Sequence, residues 1–361
     1  MDTPSHNITF YFIILLFLSV VKISYQFHGV DDLHTRFRFY LLSAACMLFL
    51  PAGITQRFSQ DVPEAETAPE PAAVLSGSYR ILCHATGEIQ DIPLRDYLIG
   101  AVAAEMPASY EPEALKAQTV ACHTYAERIR KQNAAAPDPA LCGADLSDDS
   151  SKYQAFLTAD AMHELFGDAY DTGYAKIAAA VDAAGDLLLC YADEPIAAAF
   201  HAVSSGMTES AETVWGSALP YLVSVSSDAD RNAPDYEETV RIPPDILKKA
   251  LSAQNPECTF PDDPAAWFSA PECSPAGTVL QIQCGSTDWN GQLLRELLGL
   301  RSACFSVQYD GTQFLFTTQG YGHDVGMSQY GANAMAQDGC GFAEILAHYY
   351  PDTVLTPSSA G

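Results

Sequence analysis

Basic residues are scarce in this chain. Its 361 residues include 18 Lys and Arg against 45 Asp and Glu, which gives a formal net charge of -27. A protein with this balance repels the phosphates of nucleic acids, so nucleic-acid binding is excluded as its main function. The same balance argues against adhesion to anionic lipid through a basic patch. We therefore expect no nucleic acid among its partners.

Compact motifs for metals and nucleotides are also absent. The ten cysteines include no CxxC pair, no HExxH is present, and no Walker lysine or GxGxxG spacing accompanies the glycine-rich run near the C terminus. These absences argue against a zinc peptidase and against a phosphate-binding loop. The cysteines are either buried thiols or members of a few long-range bridges, of which Cys258 to Cys273 is one candidate.

No apolar run reaches the roughly 20 residues of a comfortable membrane span. Residues 8–21 and 39–54 are shorter, so each is either a membrane segment or the core of a signal peptide. The basic flank before Phe39 predicts that this end lies in the cytoplasm. We expect residues 38–55 to anchor one external domain in the membrane. The region before them, residues 1–37, is either a real first hairpin or an over-extended translation start, and in the second case translation begins near Val30.

The remainder divides into a tether and a globular body. Residues 56–77 are rich in Pro, Ala and Glu without periodicity, which predicts a solvated linker. The hydrophobic content of 48% is ample for a core, and residues 78–361 are expected to form one domain.

Residues 94–130 predict two helices separated by a break at residues 107–111. The first helix carries a stripe at spacings of three and four that includes a carboxylate, namely Leu98, Ala101, Val102 and Glu105. Pro107 ends this helix, so Glu105 lies in its last turn. Burial and the negative end of the helix dipole both raise the pKa of such a carboxyl, as a general acid requires. The alternative is a solvated side chain at a helix end.

The second helix begins with Pro112 in its first turn, where proline is tolerated. Its apolar stripe consists of Leu115, Thr119, Cys122, Ala126 and Ile129. A different face carries Lys116, His123, Glu127 and Arg130.

Two later segments offer polar groups. A predicted strand runs into the loop HAVSSGMTESAETVWG, whose polar residues suit glycan hydroxyl and N-acetyl groups, with Trp215 as an apolar face; these residues are His201, Ser204, Ser205, Gly206 and Thr208. The run GYGHDVGMSQYGANAM leads His323, Ser328, Gln329 and Tyr330 into a helix start. An ordinary turn and a core histidine are the alternative interpretations.

Periodicity predicts the other elements. Helices are expected over residues 155–166, 175–184, 244–254 and 291–298, the second stopped by Gly185. Strands are expected over residues 187–191, 196–203 and 278–284 and twice within 300–320. Residues 255–277 predict a long surface loop.

The runs AEMP, EALKAQ and TYA in the two helices resemble the stage II sporulation protein D family of cell-wall enzymes. The strand–His–Ser/Gly loop with its later Trp and PYL, and the run around His323, resemble the same family in the same order. The resemblance implies an α+β fold and makes Glu105 the catalytic acid of a lytic transglycosylase acting on peptidoglycan. Such an enzyme needs one carboxyl, unlike most glycosidases. The substrate-binding residues implied are Lys116, Gln118, His201, Ser204, Ser205, Thr208, His323, Ser328, Gln329 and Tyr330.

The family also implies glycan strands already stripped of peptide stems, no cofactor, and a role in engulfment during spore formation. It implies a wall amidase and another membrane protein as partners, with contact to the membrane through the N-terminal segment. Related proteins outside sporulation enhance wall amidases.

The chain departs from the family pattern in three places. Some members bind zinc after the TYA helix; Cys142 matches their first ligand, but Lys152 and Tyr153 stand where a His-Cys pair is expected, so we expect no metal. The family usually shows two glycines at residues 205 and 206, where this chain has Ser205 and Gly206. Asp324 stands where Gly usually follows the histidine, although Asp tolerates a positive φ.

Two rival functions come from other classes. One is a non-catalytic glycan-binding or amidase-activating module. The other is a cysteine peptidase using Cys122 or Cys304 with His323 or His348, against which no cysteine lies at a helix start in a nucleophile setting.

Overall fold

The structure, a computed structural model, describes residues 75–234 and 236–358. The expected N-terminal extension (1–37), the expected anchor (38–55) and all but the last three residues of the expected linker lie outside the described residues. Within those two ranges, no helix is both long enough and apolar enough to cross a membrane.

Helices and short strands alternate irregularly along the described chain. The helices are α1 (Leu94–Glu105), α2 (Pro112–Ala135), α3 (Ala159–Phe166), α4 (Tyr170–Ala184), α5 (Ala211–Trp215), α6 (Pro244–Gln254), α7 (Gly291–Leu298), α8 (Gln329–Gln337) and α9 (Phe342–Tyr349). The strands are β1 (Ser78–Leu82), β2 (Ile89–Pro93), β3 (Leu146–Ser147), β4 (Leu187–Tyr191), β5 (Glu194–Pro195), β6 (Phe200–His201), β7 (Glu237–Ile242), β8 (Glu272–Cys273), β9 (Val279–Cys284), β10 (Thr287–Trp289), β11 (Phe305–Tyr309), β12 (Phe314–Gln319), β13 (Met327–Ser328) and β14 (Val354–Pro357).

The strands form small and mainly antiparallel sheets. Their orders are β2-β1-β3, β14-β4-β5, β11-β12-β7, β10-β9-β8 and β13-β6. Only the β1–β3 and β6–β13 pairs are parallel among the described strand pairs. Helices mixed with mainly antiparallel sheets make an α+β fold, as the family resemblance implied.

The first hydrophobic core surrounds α2. This helix packs against α1, α4, α8, α9 and β4. The predicted stripe of α1 is fully buried at Leu98, Ala101 and Val102. Because neighbours cover α2 on several sides, part of its polar face is buried as well: His123 is 0% and Glu127 7% exposed.

The second core lies between the β11-β12-β7 sheet, the β10-β9-β8 sheet and helices α6 and α7. Aromatic side chains dominate it, namely Trp267, Trp289, Phe305, Phe314 and Phe316. Asn290 caps the start of α7 by accepting from two backbone N–H groups, and Gly299 ends that helix at φ 65°.

Besides α1 and α2, four helices were predicted from the sequence. For two of them, α6 and α7, the predicted first and last residues are those of the structure. Helix α3 begins at Ala159 rather than 155, and α4 begins at Tyr170 rather than 175. The predicted strand over 196–203 is wrong. The Ala199 carbonyl accepts from Met327 N and from the Tyr350 hydroxyl, so the chain leaves the β4–β5 hairpin and joins β13 instead.

Candidate functional site

Glu105 is the last residue of α1. The N–H of Met106 donates to the Val102 carbonyl and closes the helix, and Pro107 follows. The Glu105 side chain is partly buried, and its Oε1 accepts a hydrogen bond from the Ala155 N–H at 3.3 Å. The helix end therefore holds the carboxyl at the boundary between the core and solvent.

Burial raises the pKa of Glu105, while the Ala155 hydrogen bond lowers it by a smaller amount. The predicted rise in the pKa of Glu105 is therefore confirmed, and its main cause is the removal of the carboxyl from water. Burial also raises the pKa of the Cys122 thiol and of the Tyr125 hydroxyl, and the Glu105 charge adds to both shifts. A carboxyl in this setting keeps its proton to higher pH than a solvated one does.

Residues 154–157 form a strap across α1 that carries the Ala155 N–H. Gln154 donates from Nε2 to the Tyr97 hydroxyl at 3.1 Å, and the Leu157 N–H donates to the Gly100 carbonyl at 3.2 Å. The Phe156 ring stacks on Tyr97 with centroids 5.5 Å apart. Gly100 permits this approach, because a Cβ there would lie 2.3 Å from the Leu157 carbonyl oxygen. The strap therefore fixes the hydrogen bond to Glu105.

A cleft of about 630 Å³ opens beside Glu105. One wall is the end of α1 and the turn after it, and the other is formed by the end of α3 and the first turns of α4. The lining residues are Ala103, Ala104, Glu105, Met106, Pro107, Ala108, Ser109, Leu165, Phe166, Ala169, Thr172, Gly173 and Lys176. Among these described lining residues Glu105 is the sole carboxylate and Lys176 the sole cation. The volume is that of an ordinary ligand pocket.

Gln118 and Gln329 connect α2 to α8. Gln329 Nε2 donates to Gln118 Oε1 at 3.4 Å, and Gln118 Nε2 donates to Cys122 Sγ at 3.3 Å. Both glutamines are buried. The motif near the C terminus is thus brought against the helix that packs on α1.

The loop after β6 and the run around His323 meet at a second location, a buried polar cluster of His201, Asp324, Ser204 and Asp230. His201 Nε2 lies 3.8 Å from Asp324 Oδ1, and both atoms are buried without a hydrogen-bond partner in the described structure. Burial lowers the pKa of His201 to about 3 and raises that of Asp324 well above its usual range. Both groups are therefore stabilised in their neutral forms. Asp324 has φ 64°, the positive value expected where the family usually has glycine.

Several predicted binding residues use their polar atoms inside the protein. Ser204 donates to Asp230, Ser205 to the Ala276 carbonyl at 2.8 Å, and Thr208 accepts from the Val225 N–H at 2.9 Å. Ser328 caps α8 by accepting from Gly331 N. These side chains are buried, so their evident role in the structure is to shape the loops.

Three predicted binding residues remain partly exposed: Lys116, His323 and Tyr330. Lys116 pairs with Glu113 at 2.6 Å, and the Tyr330 hydroxyl donates to the Asn232 carbonyl at 3.2 Å. The His323 ring lies 5.5 Å from that of Trp215, which is 47% exposed. The expected apolar face is therefore open to solvent.

The segment in which some family members bind zinc is held by other contacts here. Lys152 pairs with Asp149 at 3.7 Å. Burial is the main cause that raises the pKa of Tyr153, and the interaction with Asp138 adds to this rise. Cys142 is exposed. Across residues 75–234 and 236–358, no group of three or more His, Cys, Asp or Glu side chains has the geometry to hold a metal ion.

The cysteine-peptidase alternative finds no support in the described cysteines. All nine are free thiols, including Cys258 and Cys273. Cys122 is 0% and Cys304 6% exposed, and burial raises the pKa of Cys304 to about 12. His348 Nε2 instead hydrogen-bonds the Ser226 carbonyl at 2.8 Å. A nucleophilic cysteine needs a lowered pKa and access to substrate.

Sequence reasoning missed the opposite wall of the cleft, Leu165, Phe166 and Lys176, and also the strap donor Ala155. The residues of α4 were predicted only as a helix, and nothing in their spacing indicates that its first turns face Glu105. A backbone donor such as Ala155 leaves no sequence signal at all.

Comparison with known proteins gives consistent matches. Residues 83–191 match the family model described as stage II sporulation protein. The chain is 36% identical over 276 residues to stage II sporulation protein D of Bacillus subtilis (strain 168), covering 76% of this chain and 78% of that protein. It is 35% identical to stage II sporulation protein D of Bacillus amyloliquefaciens, covering 83% and 84% respectively. A 28% identical relative is the amidase enhancer of Bacillus subtilis (strain 168), with 72% of this chain and 40% of that protein covered.

Proposed function

The chain belongs to the stage II sporulation protein D family, and from this membership and the site at Glu105 we propose that it is a lytic transglycosylase. Its substrate is the glycan strand of peptidoglycan, and Glu105 is both general acid and general base. The observation that carries the proposal is a partly buried carboxyl with a raised pKa on the wall of an open cleft.

The reaction proceeds in two proton transfers through one carboxyl. Glu105 donates its proton to the glycosidic oxygen as the bond from that oxygen to the anomeric carbon of muramic acid breaks. The resulting carboxylate then removes the proton from the C6 hydroxyl of the same sugar as this hydroxyl attacks the anomeric carbon. The products are a 1,6-anhydro muramic end and a new free C4 hydroxyl, no water is consumed, and Glu105 regains its proton.

The lining of the cleft supports this one-carboxyl mechanism. Hydrolytic glycosidases normally place two carboxyl groups on either side of the bond. Among the described lining residues only Glu105 carries one. When the C6 hydroxyl of the same sugar is the nucleophile, no water molecule takes part in the reaction. A second carboxylate to position that water is therefore not needed.

We place the protein in wall remodelling during sporulation, on the outer side of the membrane, with peptide-stripped strands as substrate. A wall amidase supplies these strands, and a further membrane protein assists; the N-terminal segment provides the anchor. Trp215, which is exposed, and the neighbouring His323, which is partly exposed, offer the glycan an apolar face. The buried polar residues hold the loops in shape.

The test measures strand cleavage by the purified full chain on peptide-free glycan. Glu105→Gln keeps the shape of the side chain and its hydrogen-bond acceptor but cannot transfer the proton, so the rate falls by about 10²–10⁴-fold. Glu164→Gln is the matched control, because Glu164 is exposed and precedes the cleft residue Leu165. Equal rates for wild type and Glu105→Gln would refute the role of Glu105.

The similarity to an amidase enhancer favours a second candidate, a module that binds glycan and activates a wall amidase. In that case glycan binding persists, cleavage by the isolated chain is absent, and amidase turnover rises when the chain is added. Glu105→Gln would then stimulate the amidase as well as wild type does.

A further inference from the structure

Lys176 lines the same cleft as Glu105. It lies on α4, and its Nζ donates to the carbonyl of Ser109, in the turn after α1, at 3.3 Å. This long bond to a neutral acceptor leaves two further donors of the ammonium group. In the described ranges Lys176 belongs to no ion pair, whereas Lys116, Lys131 and Lys152 each do.

A cation in this place is significant because the chain is so acidic. The formal net charge of -27 repels anionic ligands, and Lys176 is the positive charge among the described residues of the cleft wall. Because no described carboxylate pairs with Lys176, its charge is available to a ligand in the cleft.

Peptide-free glycan carries a matching anion. In peptidoglycan the stem peptide is joined by an amide bond to the lactyl ether on C3 of muramic acid. Hydrolysis of that amide leaves a carboxylate on the same sugar whose anomeric carbon takes part in the cleaved bond. An intact stem has no charge at this point and adds bulk.

We infer that Lys176 binds the lactyl carboxylate of the muramic residue at the cleavage site and so selects strands whose stems have been removed. The inference rests on the proposed function, because it assumes that glycan occupies the cleft beside Glu105. With Glu105 at the glycosidic oxygen and Lys176 at the lactyl group, the two walls contact the same sugar at two points. The side chains of Leu165 and Phe166 add apolar surface to the same cleft.

The experiment measures binding in the full-length Glu105→Gln protein, so that no cleavage intervenes. The ligands are a peptide-free tetrasaccharide of alternating N-acetylglucosamine and N-acetylmuramic acid and the same tetrasaccharide with its lactyl carboxylates converted to methyl amides. We expect the free acid to bind about tenfold more tightly, the effect of one charge-assisted hydrogen bond.

Adding Lys176→Gln to this background abolishes the preference, and Lys176→Arg retains most of it. Lys249→Gln is the matched control, since it removes the same charge from the exposed face of α6 and keeps the preference. Equal binding of the two ligands by the parent protein, or a preference that survives Lys176→Gln, would overturn the inference.

The proposed function is tested separately by cleavage. If wild type cleaves the methyl amide and the free acid with equal kcat/KM, the transglycosylase stands and the carboxylate site is refuted. If wild type cleaves neither ligand but the preference depends on Lys176, the carboxylate site stands and the transglycosylase is refuted.

Discussion

Glu105 combines two properties at one position. Its helix ends at Pro107 with the carboxyl facing a cleft, and the surrounding core keeps much of it out of water. Burial of an ionisable group destabilises its charged form, so the raised pKa is also a cost in folding stability above that pKa. A catalytic acid gains its reactivity from the same burial that weakens the fold.

This cost predicts a pH-dependent effect of Glu105→Gln on stability. A raised pKa means that the native state binds the proton more tightly than the unfolded chain does, so wild-type stability falls as pH rises from the ordinary carboxyl pKa through the raised one. The Glu105→Gln variant has no ionisable group at this position, so its stability does not fall in this way. Its melting temperature is expected to exceed that of wild type at pH 8 and to match it at pH 3, as calorimetry would measure. A variant less stable than wild type at pH 8 would contradict the assignment.

The thiols predict resistance to alkylation. Cys122 is fully buried and burial raises its pKa, while Cys304 is 6% exposed. Iodoacetamide at pH 7.5 is therefore expected to leave the rate of glycan cleavage within about twofold, since a buried protonated thiol reacts slowly. Mass spectrometry of the treated protein should show modification at the exposed Cys142 and Cys273. Modification of Cys122 or Cys304 as rapid as that of Cys142 would contradict the burial of these thiols.

At the scale of elements, the strap over α1 decides where Glu105 points. The Leu157 N–H bond to Gly100 and the stacking of Phe156 on Tyr97 fix the Ala155 N–H that contacts the carboxyl. Periodicity cannot reveal such a contact, because residues 154–157 belong to no helix or strand.

Gly100→Ala is expected to displace this strap. The new Cβ would lie 2.3 Å from the Leu157 carbonyl oxygen and 2.5 Å from the Phe156 ring, which costs about 1–3 kcal/mol of stability. Because the Ala155 hydrogen bond lowers the pKa of Glu105, its loss moves the alkaline limb of the pH–activity profile to higher pH. Cleavage at the pH optimum should also fall by about tenfold, as expected for a misplaced general acid.

Gly341→Ala provides the control for the added methyl group. Gly341 has φ -74°, and a Cβ there meets its nearest atom at 3.8 Å. This variant should keep the wild-type pH profile. A Gly100→Ala protein with an unchanged profile would show that the strap does not position Glu105.

Some elements of the fold could be predicted from the sequence and others could not. Helices α1, α2, α6 and α7 were predictable because proline, capping residues and apolar stripes mark their ends and faces. The strand predicted over 196–203 failed because β6 pairs with β13, more than a hundred residues later. Glu105 was predicted from its motif, whereas Lys176 was not, because its place in the same cleft arises only from tertiary packing. Ser204 and Thr208 offered the right chemistry, but their atoms are used within the fold.

For the whole molecule, the charge balance opposes the encounter with the proposed glycan substrate. A chain of net charge -27 and a strand with one lactyl carboxylate per muramic acid repel each other over a Debye length. Raising ionic strength from 0.01 to 0.15 M shortens that length from about 30 to about 8 Å. We expect kcat/KM on peptide-free strands to rise by about tenfold over this range.

Strands with methyl-amidated lactyl groups are the control for this prediction, because without their charge they should show little dependence on salt. The measurement is the initial rate of cleavage at low substrate concentration. A fall in kcat/KM with added salt would mean that attraction by local cations outweighs the net charge.

The most direct test of the central claim is digestion of peptide-free glycan in water enriched in ¹⁸O, with the products read by mass spectrometry. If Glu105 directs the C6 hydroxyl onto the anomeric carbon, the wild-type protein yields 1,6-anhydro muramic ends without ¹⁸O, and Glu105→Gln yields almost none. Reducing ends that carry ¹⁸O would mean that water is the nucleophile, and the one-carboxyl mechanism would be contradicted.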